Sequence, residues 1–320
     1  MYSCTPVLFH SFTFKTHTLI NSSTPKLIVI AGPTAVGKTN LCLKLAKELD
    51  TEIISADSRQ FFRELSIGTA KPSAQELADV PHHFINSHSI AQAYSAGDYE
   101  REALEVLNKL FQRKKCVVLT GGSGLYIKAV CQGLDDLPRP APGLRDELMR
   151  QLREDGLEFL QNEALRADPV FSNTPEFYNP QRVVRALEVF YTSGRPISSF
   201  QNQNKAGRPF AIISIALERE RSELYHRIEG RVDQMMAAGL VEEAQRVMAY
   251  RDHHALKTVG YKEVFGFLDG EYDESEMVRL LKQNTRRYAK RQLTWFRHQG
   301  DYTWFQADDY NGVRDWAVGG

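Results

Sequence analysis

At 320 residues the chain is long enough for one large core or two of ordinary size, which excludes a mini-protein that needs disulfide or metal staples to fold. With 42% hydrophobic residues, 25% charged and 13 prolines, its composition is globular rather than disordered or collagenous. The 40 Lys and Arg against 40 Asp and Glu leave a formal net charge of zero, which as a total argues against a nucleic-acid partner but says nothing about how the charge is distributed.

Residues 1–24 contain no Asp, Glu or Arg and one Lys, with Phe9, Phe12 and Phe14 interrupted by polar residues. A secretory signal would need a continuous apolar centre and a transit peptide would need arginines, so this stretch reads as a disordered leader. Lys26–Ala31 (KLIVIA) is an apolar, β-branched run ending in Gly-Pro, which predicts a buried parallel strand. Leu41, Leu45 and Leu49 then recur at helical spacing and predict a helix over Val36–Leu49. Glu52–Ala56 reads as a second strand, Tyr99–Arg113 as an amphipathic helix, and Cys116–Thr120 as a strand running into Gly121-Gly122, with Phe210–Leu217 returning to the same sheet. Strand alternating with helix specifies an α/β fold, a parallel sheet core with flanking helices, which the glycine-rich motif at 32–39 makes a P-loop-type core.

Pro138, Pro140 and Pro142 open a different segment. Leu144–Asp155 and Leu157–Asp168 read as helices broken at Gly156, so a helical insertion domain is expected over 138–178, inside a core made of 25–137 and 179–320. Arg221–Tyr250 and Ser275–His298 read as C-terminal helices. The longest apolar run, Leu27–Gly32, falls far short of the roughly 18 residues a membrane helix needs. Cys4, Cys42, Cys116 and Cys131 form no CxxC pair and no metal-like spacing with His, as expected of a reducing, cytoplasmic setting.

Gly32, Pro33, Thr34, Ala35, Val36, Gly37, Lys38 and Thr39 match GxxxxGK[ST] between a predicted strand and a predicted helix. Glycines let the backbone wrap a phosphate with its N–H groups inward, and the helix N-terminus adds partial positive charge. Lys38 would hold the terminal phosphate and the Thr39 hydroxyl would ligate Mg²⁺. The motif does not reveal which molecule carries the phosphates. The second strand ends in Ser55-Ala56-Asp57-Ser58-Arg59-Gln60, and ligands of open parallel sheets sit at the carboxyl ends of strands, so Asp57 should share a crevice with Lys38. A general base would suit that place, although an Asp there also caps helices. Gly121-Gly122-Ser123-Gly124 adds a second glycine-rich turn at the same edge.

From Met277 to Gly300 seven bases, Arg279, Lys282, Arg286, Arg287, Lys290, Arg291 and Arg297, occur with no acid among Tyr288, Trp295 and Phe296. No continuous apolar face accompanies them, which favours RNA phosphate tracking over a membrane surface or a merely solvated helix.

The set GPTAVGKT, SADSRQ, IGTAKP, GGSGLY, NPQRVVRALEV, RSELYHRIEGRVDQMMAAGL, VGYKE and TRRYAKRQLTWFR, in that order from about Lys26 to about Arg297, resembles the bacterial tRNA dimethylallyltransferases. The resemblance implies transfer of a dimethylallyl group from dimethylallyl diphosphate to N6 of the adenosine that follows the anticodon, with the phosphate loop holding an isoprenoid diphosphate. It implies that Asp57, Ser123 and Arg221 are catalytic. The tRNA anticodon loop would be touched by Asp57, Ser58, Arg59, Gln60, Ser123, Arg145, Gln181, Arg182, Val183, Val184 and Arg185, alongside Arg286, Arg287, Lys290 and Arg291 of the basic run. Ser123 stands where the family usually has Thr, and Tyr178-Asn179-Pro180 replaces the usual Asn-Asp-Pro. The zinc finger of eukaryotic members is not expected, in keeping with the cysteine spacing. The competing expectations are a small-molecule or nucleotide kinase and a nucleotide-dependent RNA-binding switch; a monomer is expected throughout.

Overall fold

The computed structural model describes residues 24–201 and 207–319, so all but the last residue of the expected leader lies outside the described residues. Strand β1 (Lys26–Ala31), buried after its first residue, runs into the glycine-rich loop that opens helix α1 (Lys38–Glu48). Strand β2 (Ile53–Ser55), helix α2 (Ala74–Asp79), the two-residue strand β3 (His82–His83), helix α3 (Ala96–Leu110), strand β4 (Cys116–Gly121) and helix α4 (Gly124–Gln132) follow. Then come α5 (Leu144–Glu154), α6 (Gly156–Ala167) and α7 (Pro180–Ser193), and the chain returns in β5 (Ala211–Glu218). It ends in α8 (Arg221–Ala237), α9 (Leu240–Arg246), α10 (Tyr261–Leu268), α11 (Glu274–His298), β6 (Thr303–Gln306) and α12 (Tyr310–Gly319).

The sheet is wholly parallel, in the order β3-β2-β4-β1-β5-β6. β1 is central: Ile30 pairs with Thr120 of β4 and Ile215 of β5. Covered on both faces, it needs apolar residues at consecutive positions, which is why KLIVIA has no alternation. Leu41, Cys42 and Leu45 of α1, Leu224 and Ile228 of α8, and Ala289 of α11 complete the core against it. Because β2, β4 and β1 are neighbours and parallel, the loops that follow them open at one edge.

The described residues fall into two compact units, 24–94 with Arg101–Ile127 and 209–319, and Ser95–Glu100 with 128–201 and 207–208. The second takes in the expected insertion 138–178 and extends past both its ends, because α7 packs on α5 and α6 through Leu148, Leu160, Val183, Val184 and Leu187. The expected single helix Arg221–Tyr250 is instead α8 and α9, broken at Gly239, whose φ of 93° is a left-handed helix stop open to glycine at little cost. β3 and β6 escape a pattern reading because two and four residues are too short to show one.

Candidate active site

The phosphate loop begins where Gly32 crosses beside β5: a Cβ there would lie 2.9 Å from the Leu217 carbonyl, and φ is 150°. Ala35, with φ 63°, sits in the left-handed region that costs a non-glycine residue energy. Its carbonyl is pinned by Arg227 Nε at 2.9 Å, while Arg219 Nε donates to the Val36 carbonyl at 2.8 Å and Arg231 donates to Thr34 Oγ1 at 3.1 Å. Lys38 Nζ donates to the carbonyls of Gly32 and Pro33, both at 2.8 Å. Burial pushes the Lys38 ammonium down to about 8, against the pull of Asp57. Burial, then Arg227, likewise lowers the Arg231 guanidinium. The loop is therefore backed by more cation than its own lysine provides.

Asp57 joins Lys38 and Thr39 in a cleft of about 200 Å³ at the strand ends. Its Oδ1 accepts the Arg59 N–H at 3.0 Å, which closes the turn and leaves Oδ2 for other partners. Gln60 Nε2 donates to the Thr69 and Ala70 carbonyls at 3.2 and 3.3 Å and ties this turn to the IGTAKP segment. Tyr288 of α11 also lines the cleft; burial and then Asp57 push its hydroxyl up to about 12. The cleft has a second character. On α8, Arg227 and Arg231 are followed by Val232, the next residue, and Met235, one turn on, which line the cleft with Leu240 and Leu281.

Two expected catalytic residues sit elsewhere. Ser123 Oγ accepts the Ser58 N–H at 3.0 Å and donates to Ser58 Oγ at 3.1 Å, so its hydroxyl braces the Asp57 turn rather than lining the cleft. Arg221, in the first turn of α8, is exposed; its Nε donates to Tyr225 Oη at 3.2 Å and its guanidinium lies 5.2 Å from that ring. The arginines at the loop are Arg219, Arg227 and Arg231, of which the last two carry a signal that was available in the sequence, a spacing of four.

Two further residues carry no such signal. Glu243, 2% exposed, accepts the Ser66, Ile67 and Gly68 N–H groups at 2.8–2.9 Å and the Tyr261 hydroxyl at 2.7 Å, fixing the segment that holds Gln60. Gln292, 6% exposed, accepts the Thr34 N–H and donates to the Gly122 carbonyl, both at 2.9 Å.

In the second unit, Arg145 and Arg185 pair with Glu188, 1% exposed, at 2.7 and 3.0 Å, and Arg145 donates to Gln181 Oε1 at 2.9 Å. Asn179 caps α7 by accepting the Gln181 and Arg182 N–H groups. Gln181 and Arg182 are exposed, whereas Val183 and Val184 are wholly buried in the core of their unit, so their side chains offer no surface to an RNA. The basic run on α11 is also less free than its composition suggests: Arg279 pairs with Glu276, Lys282 with Asp233, Arg286 with Glu229 and Arg297 with Glu218. Arg287, Lys290 and Arg291 are exposed and have no carboxylate partner among the described residues.

The parallel sheet, the loop at the end of its central strand and the two-sided cleft define a phosphate-loop enzyme of the α/β class. The family model for IPP transferase matches residues 60–299, more than half of the chain. The tRNA dimethylallyltransferases of Christiangramia forsetii and Cytophaga hutchinsonii are each 50% identical, over 88% and 90% of this chain and 94% of each relative. The structure of the full-length tRNA isopentenylpyrophosphate transferase from Bacillus halodurans matches with a TM-score of 0.68 at 36% identity, covering 92% of this chain and 96% of that one. A eukaryotic dimethylallyltransferase acting on tRNA matches with a TM-score of 0.75 at 26% identity, over 90% of this chain and 75% of that one. The chain belongs to the IPP transferase family, and the kinase alternative is not favoured.

Proposed function

We propose that the protein transfers a dimethylallyl group from dimethylallyl diphosphate to N6 of the adenosine that follows the anticodon of tRNA, releasing diphosphate. The observation that carries this reading is the double lining of the cleft. Loop amides, Lys38, Arg227 and Arg231 suit a diphosphate, while Val232, Met235, Leu240 and Leu281 beside them suit a short branched hydrocarbon. A nucleotide would put a polar base and ribose where this cleft turns apolar.

The exocyclic amine of adenine is a weak nucleophile, because its lone pair is delocalised into the ring. The adenosine must leave its stack to reach the cleft. Asp57 accepts a hydrogen bond from N6 and then its proton as nitrogen attacks the allylic carbon; the N–C bond forms, the C–O bond breaks, and the electron pair leaves with the diphosphate. Lys38, the loop amides, Arg227 and Arg231 stabilise the charge that develops there. Mg²⁺ fits this donor set as a partner of the diphosphate, with the hydroxyl of Thr39, which lines the cleft, as the residue that would hold it. When bound it would neutralise leaving-group charge. Ser58, Arg59, Gln60, Gln181, Arg182 and the exposed bases of α11 are the proposed tRNA contacts, and Ser123, Arg145 and Arg185 hold such contacts in place.

No described helix is long and apolar enough to cross a membrane. A tRNA substrate supports a cytoplasmic setting, and a monomer suffices because one chain supplies every residue named. The test is to incubate the protein with unmodified tRNA, Mg²⁺ and labelled dimethylallyl diphosphate. Label should appear on N6 of that single adenosine. Unlabelled RNA, or phosphate moved from ATP instead, would refute the reading.

A further inference from the structure

Gln292 touches both loops on which the proposed reaction depends. Its Oε1 accepts the N–H of Thr34 in the phosphate loop and its Nε2 donates to the carbonyl of Gly122 after β4, each at 2.9 Å. From Gly122 the connection continues through Ser123 Oγ to Ser58, the residue after Asp57. A Cβ on Gly122 would lie 2.2 Å from Gln292 Nε2, so glycine at 122 is what lets the carboxamide in. Trp295, nearly one turn further along α11, occupies the space beside Gly124 in the same way, its ring 2.2 Å from where a Cβ would stand. The helix is thus seated on the second glycine-rich turn at two points, and the first of them also reaches the phosphate loop.

We infer that Gln292 is a positioning residue: its carboxamide sets the separation between the phosphate loop, with Lys38 and Thr39, and the turn that carries Asp57. The inference rests on the proposed transfer reaction. A carboxamide has one donor end and one acceptor end, and the bridge needs both, since a backbone N–H faces one end and a backbone carbonyl the other. A carboxylate of the same shape would turn an acceptor toward the Gly122 carbonyl. An isosteric apolar side chain would leave both backbone groups buried without partners. Reacting atoms held out of register by a fraction of an ångström lose rate without losing substrate affinity in proportion, and this bridge guards that register.

The experiment compares wild type, Gln292→Met, Gly122→Ala and the double variant. Gln292→Met keeps the volume and removes the bridge; Gly122→Ala displaces the carboxamide from the other side and serves if the first variant does not fold. Each single variant should lower the single-turnover rate at saturating substrates by tenfold or more and weaken inorganic diphosphate binding severalfold, with tRNA affinity within twofold of wild type. The double variant should lose little beyond the worse single one, because both break one bridge. Rate losses that multiply, or folded single variants with wild-type rate and wild-type diphosphate affinity, would overturn the inference. If wild type transfers nothing while the variants still lose diphosphate affinity together, the bridge stands and the proposed reaction falls.

Discussion

Asp57 accepts the Arg59 N–H through one carboxylate oxygen and shares its cleft with Lys38 and Thr39, so one oxygen shapes the turn and the other is left for chemistry. Asparagine would keep the first role and lose the second. Asp57→Asn should bind diphosphate and tRNA as wild type does, yet lower the single-turnover rate on the order of a hundredfold or more; a near-normal rate would remove Asp57 from the base role. The legibility of this site in the sequence follows the range of its contacts. Lys38, Thr39 and Asp57 belong to short segments whose spacing carries their geometry, and the structure brings them together. Gln292 and Glu243 carry no such signal because all of their partners but the Tyr261 hydroxyl are backbone groups, up to 258 positions away for Gln292, and a backbone N–H has no residue type to read. For the arginines of α8 a motif names the segment, but the turn of the helix sets which side chain meets the loop: Arg227 and Arg231 do, while Arg221 lies against Tyr225.

At the scale of elements, the strands and the helix after the phosphate loop could be read because a buried parallel sheet writes its core as unbroken apolar runs. The join between α8 and α9 could not, since Gly239 ends a helix that hydrophobic periodicity would continue. Beyond that break, α9 sets Glu243 against the segment Ser66–Gly68. One oxygen of Glu243 takes the Ser66 and Ile67 N–H groups, the other the Gly68 N–H and the Tyr261 hydroxyl, so α9, α10 and the segment that holds Gln60 depend on a single carboxylate. In Glu243→Gln an NH₂ group must face one of these donor pairs. The loss should be about 1–3 kcal/mol of stability, read as a lower denaturant midpoint at unchanged slope. An unmoved midpoint would mean that the segment is held by its own turns and not by α9.

The whole molecule reconciles a net charge of zero with an RNA substrate by pairing charges locally rather than spreading them. Acids from α8, from the end of β5 and from the first turn of α11 neutralise Arg279, Lys282, Arg286 and Arg297, and leave Arg287, Lys290 and Arg291 facing solvent on the same helix. A neutral protein has little long-range attraction for a polyanion, so affinity for tRNA must come from a few phosphates met at close range. Each single-stranded phosphate neutralised contributes about 0.7 to the slope of log affinity against log salt, so these three side chains are worth about 2 together. Replacing Arg287, Lys290 and Arg291 by glutamine should flatten the slope by that amount and weaken tRNA binding most at low salt. Replacing Arg279 and Lys282 by glutamine should leave it unchanged, because their charge is already spent on Glu276 and Asp233. Equal slopes for the two variants would mean that the run acts through its summed charge, and that the ion pairs open when RNA arrives.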